Sequence, residues 1–453
     1  MSGPKVVRIV THEEIISICE GHLARLSVAV EEWIKVGRRN DTVTETEISA
    51  TLARQEELRR MLSRDRFTEL QKAVPDEIAF LRTDQEVRLA RAASERAKAR
   101  SAQRRTEDAA ASLLSALDRR GVQVPAELRA TLEDAAAGRS EGEGAISQAF
   151  ALLSDRRDTG VSERQRQLAE ALRETDDGQS FSEWLASQST VSGNEDFNRL
   201  NLRIAELAVI LGEEATAEFE NRLRRIFSGE ASSSRSLLVD SLELDLAQAV
   251  SKAKERTALQ SRLRMLAAEL SQIGSESSEA MAGVISARID ETTEALIALE
   301  KEATEAINRS REEAAAQSRR HAILKGLTDL GYQVNEGMET AWVRDGRVVI
   351  KRASQPGYGV EIGGKVESGR MQMRTVAIRN PNEAADAVRD RDAETIFCGD
   401  VAKLQAQLAE EGGGIVIERA LPIGATPLRV VTDTSSASDE EMQERIPDRV
   451  LRK

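Results

Sequence analysis

The chain contains few of the residues from which most enzymatic centres are built. Its 453 residues include three histidines and only two cysteines, Cys19 and Cys398, which lie far apart in the sequence. His12 and His22 are ten positions apart, which does not match the close ligand spacing of a helical zinc site. The GxxxxGK[ST] spacing of a phosphate-binding loop is also absent. We therefore expect no cofactor, no bound metal and no enzymatic activity.

Aromatic residues and long apolar runs are also scarce. Aromatic residues make up 3% of the chain and charged residues 31%, a balance typical of long helices with narrow apolar seams. No apolar run approaches the roughly 20 residues that a membrane span needs, and the N-terminus lacks the apolar core of a signal peptide. The net charge of −13 disfavours attraction of the whole protein to nucleic acid or membranes. These features predict an acidic cytoplasmic protein without membrane contact.

Proline is rare over most of the chain, and this points to helix. Only Pro75 and Pro125 fall between Thr11 and Leu330, and apolar residues recur there every three or four positions. After Gly331 the period changes to short β-like runs separated by glycines. The predicted fold class is therefore mainly α, with long antiparallel helical hairpins or coiled coils followed by a small C-terminal α+β domain.

Local signals predict where several helices begin and end. Thr11 is a candidate N-cap of the first helix, and Gly121 is a candidate C′ residue. Pro75 predicts a boundary or kink, because proline removes a backbone donor and clashes with the preceding turn. The last long helix is predicted as one element over residues 277–330.

The C-terminal region is predicted as strands around one helix. Asp345-Gly346 favours a two-residue hairpin turn between the first two strands. Residues 6–10 are predicted to form a short strand or an extended arm. The predicted strands cover residues 341–344, 348–352, 359–362, 371–378, 415–418 and 428–431, and the predicted helix covers residues 382–411, with a break near Cys398.

Composition and turn signals divide the chain into five consecutive predicted segments. These are an N-terminal long-helix hairpin region (1–120), a short-helix connector region (121–190), a coiled-coil helical hairpin region (191–330), a small α+β domain (331–431) and a disordered tail (432–453).

The strongest local charge signal lies between residues 88 and 105. This stretch of 18 positions contains seven basic residues and a single acidic residue. On a helix, 18 residues span about 27 Å. Such a helix is either a solvated spacer offset by acids of a neighbouring helix, or a surface for an acidic protein or for nucleic-acid phosphates. The basic residues are Arg88, Arg91, Arg96, Lys98, Arg100, Arg104 and Arg105.

A second candidate surface lies in the C-terminal region. If its strands alternate as predicted, one sheet face could carry a set of aromatic and basic side chains that contact a partner, although a core role for the tryptophan is the alternative. The set consists of Trp342, Arg344, Lys351, Arg352 and Tyr358. The E-x-x-x-K spacing of Glu361 and Lys365 resembles an acid-plus-lysine nuclease set, but it has no convincing upstream partner beyond Asp345.

The leading hypothesis is a non-enzymatic scaffold or adaptor that self-associates or joins a multiprotein complex. Long helices would set distances, and the C-terminal domain would dock a partner protein. The alternative is a nucleic-acid-associated accessory protein that contacts phosphates through residues 88–105. An enzyme with its site in the C-terminal domain is the third and least favoured hypothesis.

Overall fold

The predicted fold class, mainly α with a C-terminal α+β region, is confirmed. The computed structural model describes residues 4–140, 142–154, 192–228, 234–364, 368–380 and 385–432. The twelve α-helices of these residues are α1 (His12–Arg39), α2 (Glu45–Leu62), α3 (Phe67–Arg119), α4 (Ala126–Ala136), α5 (Glu143–Ser154), α6 (Ser192–Leu211), α7 (Ala217–Ser228), α8 (Arg235–Ile273), α9 (Glu276–Arg288), α10 (Thr293–Asp329), α11 (Met338–Asp345) and α12 (Ala387–Glu410).

Two of the predicted helix ends are confirmed. The Thr11 hydroxyl accepts a hydrogen bond from the backbone N–H of Glu14 at 3.3 Å, which caps the first turn of α1. Gly121 has a φ of +61° directly after α3, and the backbone N–H of Val122 donates to the carbonyl of Leu117 at 3.1 Å. This is the left-handed C-terminal turn that glycine favours.

The helix boundary predicted at Pro75 is wrong, because α3 continues through this residue, while a kink there stays a prediction. The side chains of Val74 and Leu81, on either side of the proline, are buried, and this packing offsets the loss of one backbone hydrogen bond. The chain instead turns between α2 and α3, where Asp65 has a φ of +55° and the N–H of Arg66 donates to the carbonyl of Met61 at 3.0 Å.

The last long helix is also shorter than predicted, because residues 277–330 form two helices, α9 and α10, that pack against each other. Thr292 begins the second helix as an N-cap whose hydroxyl accepts a hydrogen bond from the N–H of Ala295 at 3.4 Å. The spacing of Ile285, Ile289 and Leu296 continues across this turn, so the apolar period alone could not reveal it.

The predicted hairpin region before α8 consists of two helices, α6 and α7. Gly212, with a φ of +101°, ends α6, and a 3-10 turn at Glu214–Thr216 leads into α7. Buried residues of α6, α7 and α8 form one cluster that includes Leu200, Leu223 and Leu242. The three helices therefore pack against one another, while the coiled-coil hairpin stays a prediction.

Parts of the predicted segments fall outside the described residues. These parts include residues 155–190 of the short-helix connector region and the disordered tail beyond Thr432. Within the described part of the predicted connector region, α4 and α5 are short helices. They share an apolar cluster with the C-terminal end of α3.

The seven described strands form one sheet, which contains a strand from the N-terminal region together with six strands between Tyr332 and Val431. They are β1 (Lys5–Val10), β2 (Tyr332–Gln333), β3 (Arg347–Arg352), β4 (Tyr358–Gly363), β5 (Arg370–Ile378), β6 (Gly414–Ala420) and β7 (Arg429–Val431). Their order is β2-β3-β4-β5-β1-β6, and β7 runs parallel to β5 beyond the end of β1. The short strand predicted at residues 6–10 therefore lies inside the C-terminal sheet, between β5 and β6.

The strand and hairpin turn predicted at residues 341–346 are wrong, because this segment is the short helix α11. Gly337 and Gly346 adopt positive φ values of 85° and 66° at its two ends. The N–H of Gly346 donates to the carbonyl of Trp342 at 2.9 Å, so the Asp345-Gly346 pair ends a helix rather than turning a hairpin. The predicted break near Cys398 is also absent, because α12 continues through it.

One face of the sheet packs against helices. Strand residues that alternate along β1, β3, β4 and β5 are buried in one apolar cluster with residues of α10 and α12. We call this side the helix face and the opposite side the outer sheet face. The cluster includes Val7, Ile9, Val348, Ile350, Val360, Ile362, Met371, Met373, Ile323, Leu327, Phe397 and Leu404.

The chain divides into two compact units, and neither is a continuous segment. The first unit consists of Met1–Val30, Ala50–Ile78 and Gln260–Lys453, and the second consists of Glu31–Ser49 and Ala79–Leu259. The five predicted domains, in contrast, are consecutive stretches of sequence. One contribution to this difference is strand β1, which belongs to the same sheet as the strands between Tyr332 and Val431.

Candidate functional site

Arg88, the first residue of the predicted basic helix surface, is held within its own unit. Its guanidinium donates to the carboxylates of Glu47 and Asp84 at 2.7 and 2.6 Å and lies 5.5 Å from the centroid of the Trp33 ring. The hydrogen bond from Arg88, followed by hydrogen bonds from Thr44, lowers the pKa of Glu47 to about 2. Arg88 is thus a structural residue.

Arg100 and Arg104 are likewise engaged with neighbouring helices of the second unit. Arg100 pairs with Glu213 and Glu220 at 2.6 and 2.8 Å. The guanidinium of Arg104 lies 4.2 Å from the centroid of the Phe197 ring, which is a cation–π contact. These contacts match the interpretation of a basic helix whose charge is offset by acids nearby.

The remaining four basic residues make fewer contacts with neighbouring helices. Lys98 pairs with Glu95 one turn earlier at 2.9 Å, and Arg105 donates to a backbone carbonyl of its own helix. Arg91 is exposed and Arg96 is half-buried, and neither has an ion pair within the described part of the chain. The seven residues therefore do not form one continuous cationic stripe.

The five residues predicted as a surface of the C-terminal domain do not share a sheet face. Trp342 is 1% exposed and belongs to α11 and the core, which corrects its proposed place on a strand. Arg344 is exposed on the same helix and pairs with Asp345 at 2.9 Å. Lys351 lies on the outer sheet face, whereas Arg352 and Tyr358 lie on the helix face.

Arg352 and Tyr358 hold α12 against the sheet. Arg352 and the Tyr332 hydroxyl both donate to the buried carboxylate of Asp400, at 2.6 and 2.9 Å. Tyr358 donates to Asp390 at 2.8 Å. Burial, with a smaller contribution from Asp400, raises the pKa of Tyr332 well above its ordinary value. Burial and the hydrogen bond to Asp390 raise the pKa of Tyr358 to about 12.

The outer sheet face carries a different basic cluster, and the alternation of β5 explains it. Met371 and Met373 point into the core, so Arg370 and Arg374 lie on the opposite face. In the antiparallel register Arg374 lies directly across from Glu361 of β4. Residues directly across from each other share a face of the sheet, so this acid and base meet.

Glu361 is the centre of the first group of charges on the outer sheet face. Its side chain is 7% exposed, and its carboxylate accepts from Arg374 and Arg429, both at 2.8 Å. Arg347 lies farther away, with 3.9 Å between its guanidinium and the same carboxylate. One carboxylate is thus shared by three arginines from three different strands.

Glu418 on β6 is the centre of the second group. Arg370 lies 2.9 Å from its carboxylate and Arg8 of β1 lies 3.5 Å from it. Arg8 is directly across from Arg370 in the antiparallel register. We define the arginine face as the five arginines and two glutamates of these groups: Arg8, Arg347, Arg370, Arg374, Arg429, Glu361 and Glu418.

Sequence reasoning missed the arginine face because its members come from six strands, several of which are distant in the sequence. The alternating R-M-Q-M-R run at residues 370–374 is the signal that could have found part of it, since it places two arginines on one face of a strand. The position of Arg8 depends on the pairing of β1 with β5, which no local pattern indicates.

The acid-plus-lysine hypothesis gains no support from these positions. The Glu361 carboxylate forms ion pairs with arginines, and Asp345 pairs with Arg344 at the end of α11. Lys365 lies outside the described residues. Across the described ranges, no group of three or more His, Cys, Asp or Glu side chains is placed to hold a metal ion.

Comparisons with known proteins provide no relative for this chain. No protein-family model, curated protein or solved structure matches it. In the part of the chain that the structure describes, no helix combines the length and apolar character needed to cross a membrane.

Proposed function

We propose that this protein is a non-enzymatic scaffold or adaptor whose C-terminal α+β region docks a partner protein. The supporting observation is the one-sided packing of the sheet. Helices α10 and α12 bury one face, whereas the outer sheet face presents Arg8, Arg347 and Arg370 with more than half of each side chain exposed. Charged side chains held on a rigid sheet are a suitable docking surface.

The long helices fit a spacer role in this proposal. Helix α3 alone has 53 residues, and an ideal helix of that many residues is about 80 Å long. Its basic segment at residues 88–105 is engaged with acids and rings of the same unit through Arg88, Arg100 and Arg104. These contacts favour a structural role for the segment over the alternative of phosphate binding.

The proposal is tested by affinity capture with the tagged full-length chain from the cytosol of its native host, with and without nuclease. Removing the C-terminal region is a poor control, because β1 would then lose both neighbouring strands. The variant is therefore Arg8→Gln/Arg347→Gln/Arg370→Gln, in which the substituted side chains are 55, 56 and 59% exposed.

A matched control removes the same charge from α2 and the turn after it. In the variant Arg59→Gln/Arg60→Gln/Arg64→Gln, the first two side chains are 58 and 64% exposed and Arg64 is exposed as well. We expect a protein partner that persists after nuclease treatment, is lost from the arginine-face variant and is retained by the control. Equal retention by both variants would contradict the proposed docking surface, and loss of all captured material after nuclease would favour the nucleic-acid alternative.

A further inference from the structure

We infer that the arginine face binds an acidic, extended peptide segment of a partner protein. The inference rests on the proposed function and names the chemistry of the partner. The arginine face holds five arginines against two carboxylates, whereas the whole chain has a net charge of −13. A local positive surplus on an acidic protein selects anionic ligands at this position.

The exposed arginines have hydrogen-bonding capacity left. Arg347 stands 3.9 Å from Glu361 and Arg8 stands 3.5 Å from Glu418, both longer than an ordinary hydrogen bond. Each guanidinium has five N–H donors in a fork that matches a carboxylate. An additional carboxylate can therefore be bound without displacing either glutamate.

The register of the sheet places like charges directly opposite each other. Arg8 of β1 and Arg370 of β5 are cross-strand partners, an arrangement that destabilises a sheet unless an acid lies nearby. Glu418 supplies only one negative charge for the two arginines. An acidic side chain bound here would reduce the remaining repulsion between Arg8 and Arg370. Binding of the ligand would therefore also stabilise the folded sheet.

The surface suits a peptide better than a nucleic acid. The seven described strands contain two aromatic residues, Tyr332 and Tyr358, and both face the helices, so the arginine face offers no ring on which a base could stack. Val416 lies directly across from Arg8 and is 63% exposed, which provides an apolar contact next to the charges. A segment that combines acidic residues with an apolar side chain matches this surface.

The dimensions define the length of the segment. From β1 to β3 the sheet crosses three strand spacings, or about 14 Å, which an extended peptide covers in roughly four to five residues. The expected ligand is thus a short acidic stretch that lies across the strands, with its apolar residue near Val416.

The test measures fluorescence anisotropy of a labelled glutamate-rich peptide of about ten residues with one leucine, added to the full-length protein. The comparison probes are the same peptide with glutamine in place of glutamate and an oligothymidylate of similar length. We expect the glutamate peptide to bind with an affinity that falls as salt rises. The glutamine peptide and the oligothymidylate should bind more weakly.

The two triple variants described above then locate the binding site. We expect Arg8→Gln/Arg347→Gln/Arg370→Gln to weaken peptide binding about tenfold or more, since each lost ion pair contributes modestly and three are removed together. The Arg59→Gln/Arg60→Gln/Arg64→Gln control should change it less than about twofold. Unchanged circular dichroism and melting temperature show that a loss does not come from unfolding.

Three results would overturn the inference: equal binding of the glutamine peptide, equal affinity of the two triple variants, or tighter binding of the oligothymidylate. These results are separable from failure of the proposed function. If the arginine-face variant loses its protein partner in affinity capture but the glutamate peptide does not bind the wild type, the adaptor role stands and the acidic-peptide inference falls. If no partner depends on the arginine face, the proposed function itself fails.

Discussion

At the residue scale, the same amino-acid type has different roles on the two faces of the sheet. On the helix face, Arg352 is tied to the buried carboxylate of Asp400 at 2.6 Å and lies 5.3 Å from the centroid of the Tyr332 ring. On the outer sheet face, Arg347 remains more than half exposed. Arg347 and Arg352 are the first and last residues of β3, and the alternation of the strand places them on opposite faces. One guanidinium is thus structural, and the other is available to a ligand.

The two tyrosines of the chain make a residue-scale prediction about alkaline pH. Their pKa values are raised by burial and by the neighbouring carboxylates, so the neutral form is favoured in the folded state. Their contribution to stability is therefore fully present below the unfolded pKa of about 10. For Tyr358 it is lost as the pH rises through about 12.

The measurement is an absorbance titration of tyrosinate, followed together with circular dichroism. In the native protein both tyrosines should ionise above the ordinary value, and in denaturant both should ionise near about 10. Tyr358→Phe should leave a single ionising group, Tyr332, because the chain contains only two tyrosines. Ionisation of both groups near the ordinary value in the folded protein would show that neither is buried against a carboxylate.

At the element scale, the helix ends and strands that depend only on neighbouring residues were predicted correctly from the sequence. The N-cap at Thr11 and the stop at Gly121 each need only a side-chain type and a local backbone conformation, and both are confirmed. The strands predicted at residues 348–352 and 371–378 are confirmed too, as β3 and β5, because their apolar alternation already reflects one buried face.

Elements whose outcome depends on distant packing were predicted less well. Pro75 lies inside α3 because buried neighbours outweigh its local cost. The Asp345-Gly346 pair ends a helix because Trp342 is buried in the core, which the hairpin signal cannot reveal. Only part of the arginine face has a local signal, because the place of Arg8 in it depends on the pairing of β1 with β5. Tertiary contacts override local propensity in each case.

The contact between α10 and α12 gives a prediction at the element scale. A Cβ added at Gly326 of α10 would collide with Cδ1 of Leu404, which is 1% exposed in the core. Glycine-to-alanine substitution in a helix ordinarily stabilises by about 0.5–1 kcal/mol. Here the overpacking, typically about 1–3 kcal/mol, should outweigh that gain, so we expect Gly326→Ala to lower the melting temperature.

The matched control is Gly399→Ala in α12, where an added Cβ meets nothing within 4 Å. It receives the same helix-propensity gain without a collision and should keep or raise the melting temperature. A rise of similar size in both variants would mean that α10 and α12 do not approach closely at Gly326.

At the scale of the whole molecule, the sheet pairs an N-terminal strand with strands that lie more than 350 residues later in the sequence. Strand β1 pairs with β5 on one side and with β6 on the other, so that Lys5 lies across from both Met373 and Ala420. The sheet therefore cannot be completed until most of the chain has been synthesised. Such long-range pairing is costly to close and slows folding. It also means that the proposed docking surface and the N-terminus belong to one cooperative structure.

This topology predicts that a single charge in the N-terminal strand disrupts the C-terminal sheet. Ile9 is 0% exposed in the core, whereas Val10, the next residue, is 36% exposed on the outer sheet face. We expect Ile9→Asp to cost about 3 kcal/mol or more and to remove hydrogen-exchange protection from β5 and β6, because it buries an unpaired carboxylate. Val10→Asp introduces the same charge one residue away and should preserve protection. Equal protection in both variants would show that β1 is not a central strand of this sheet.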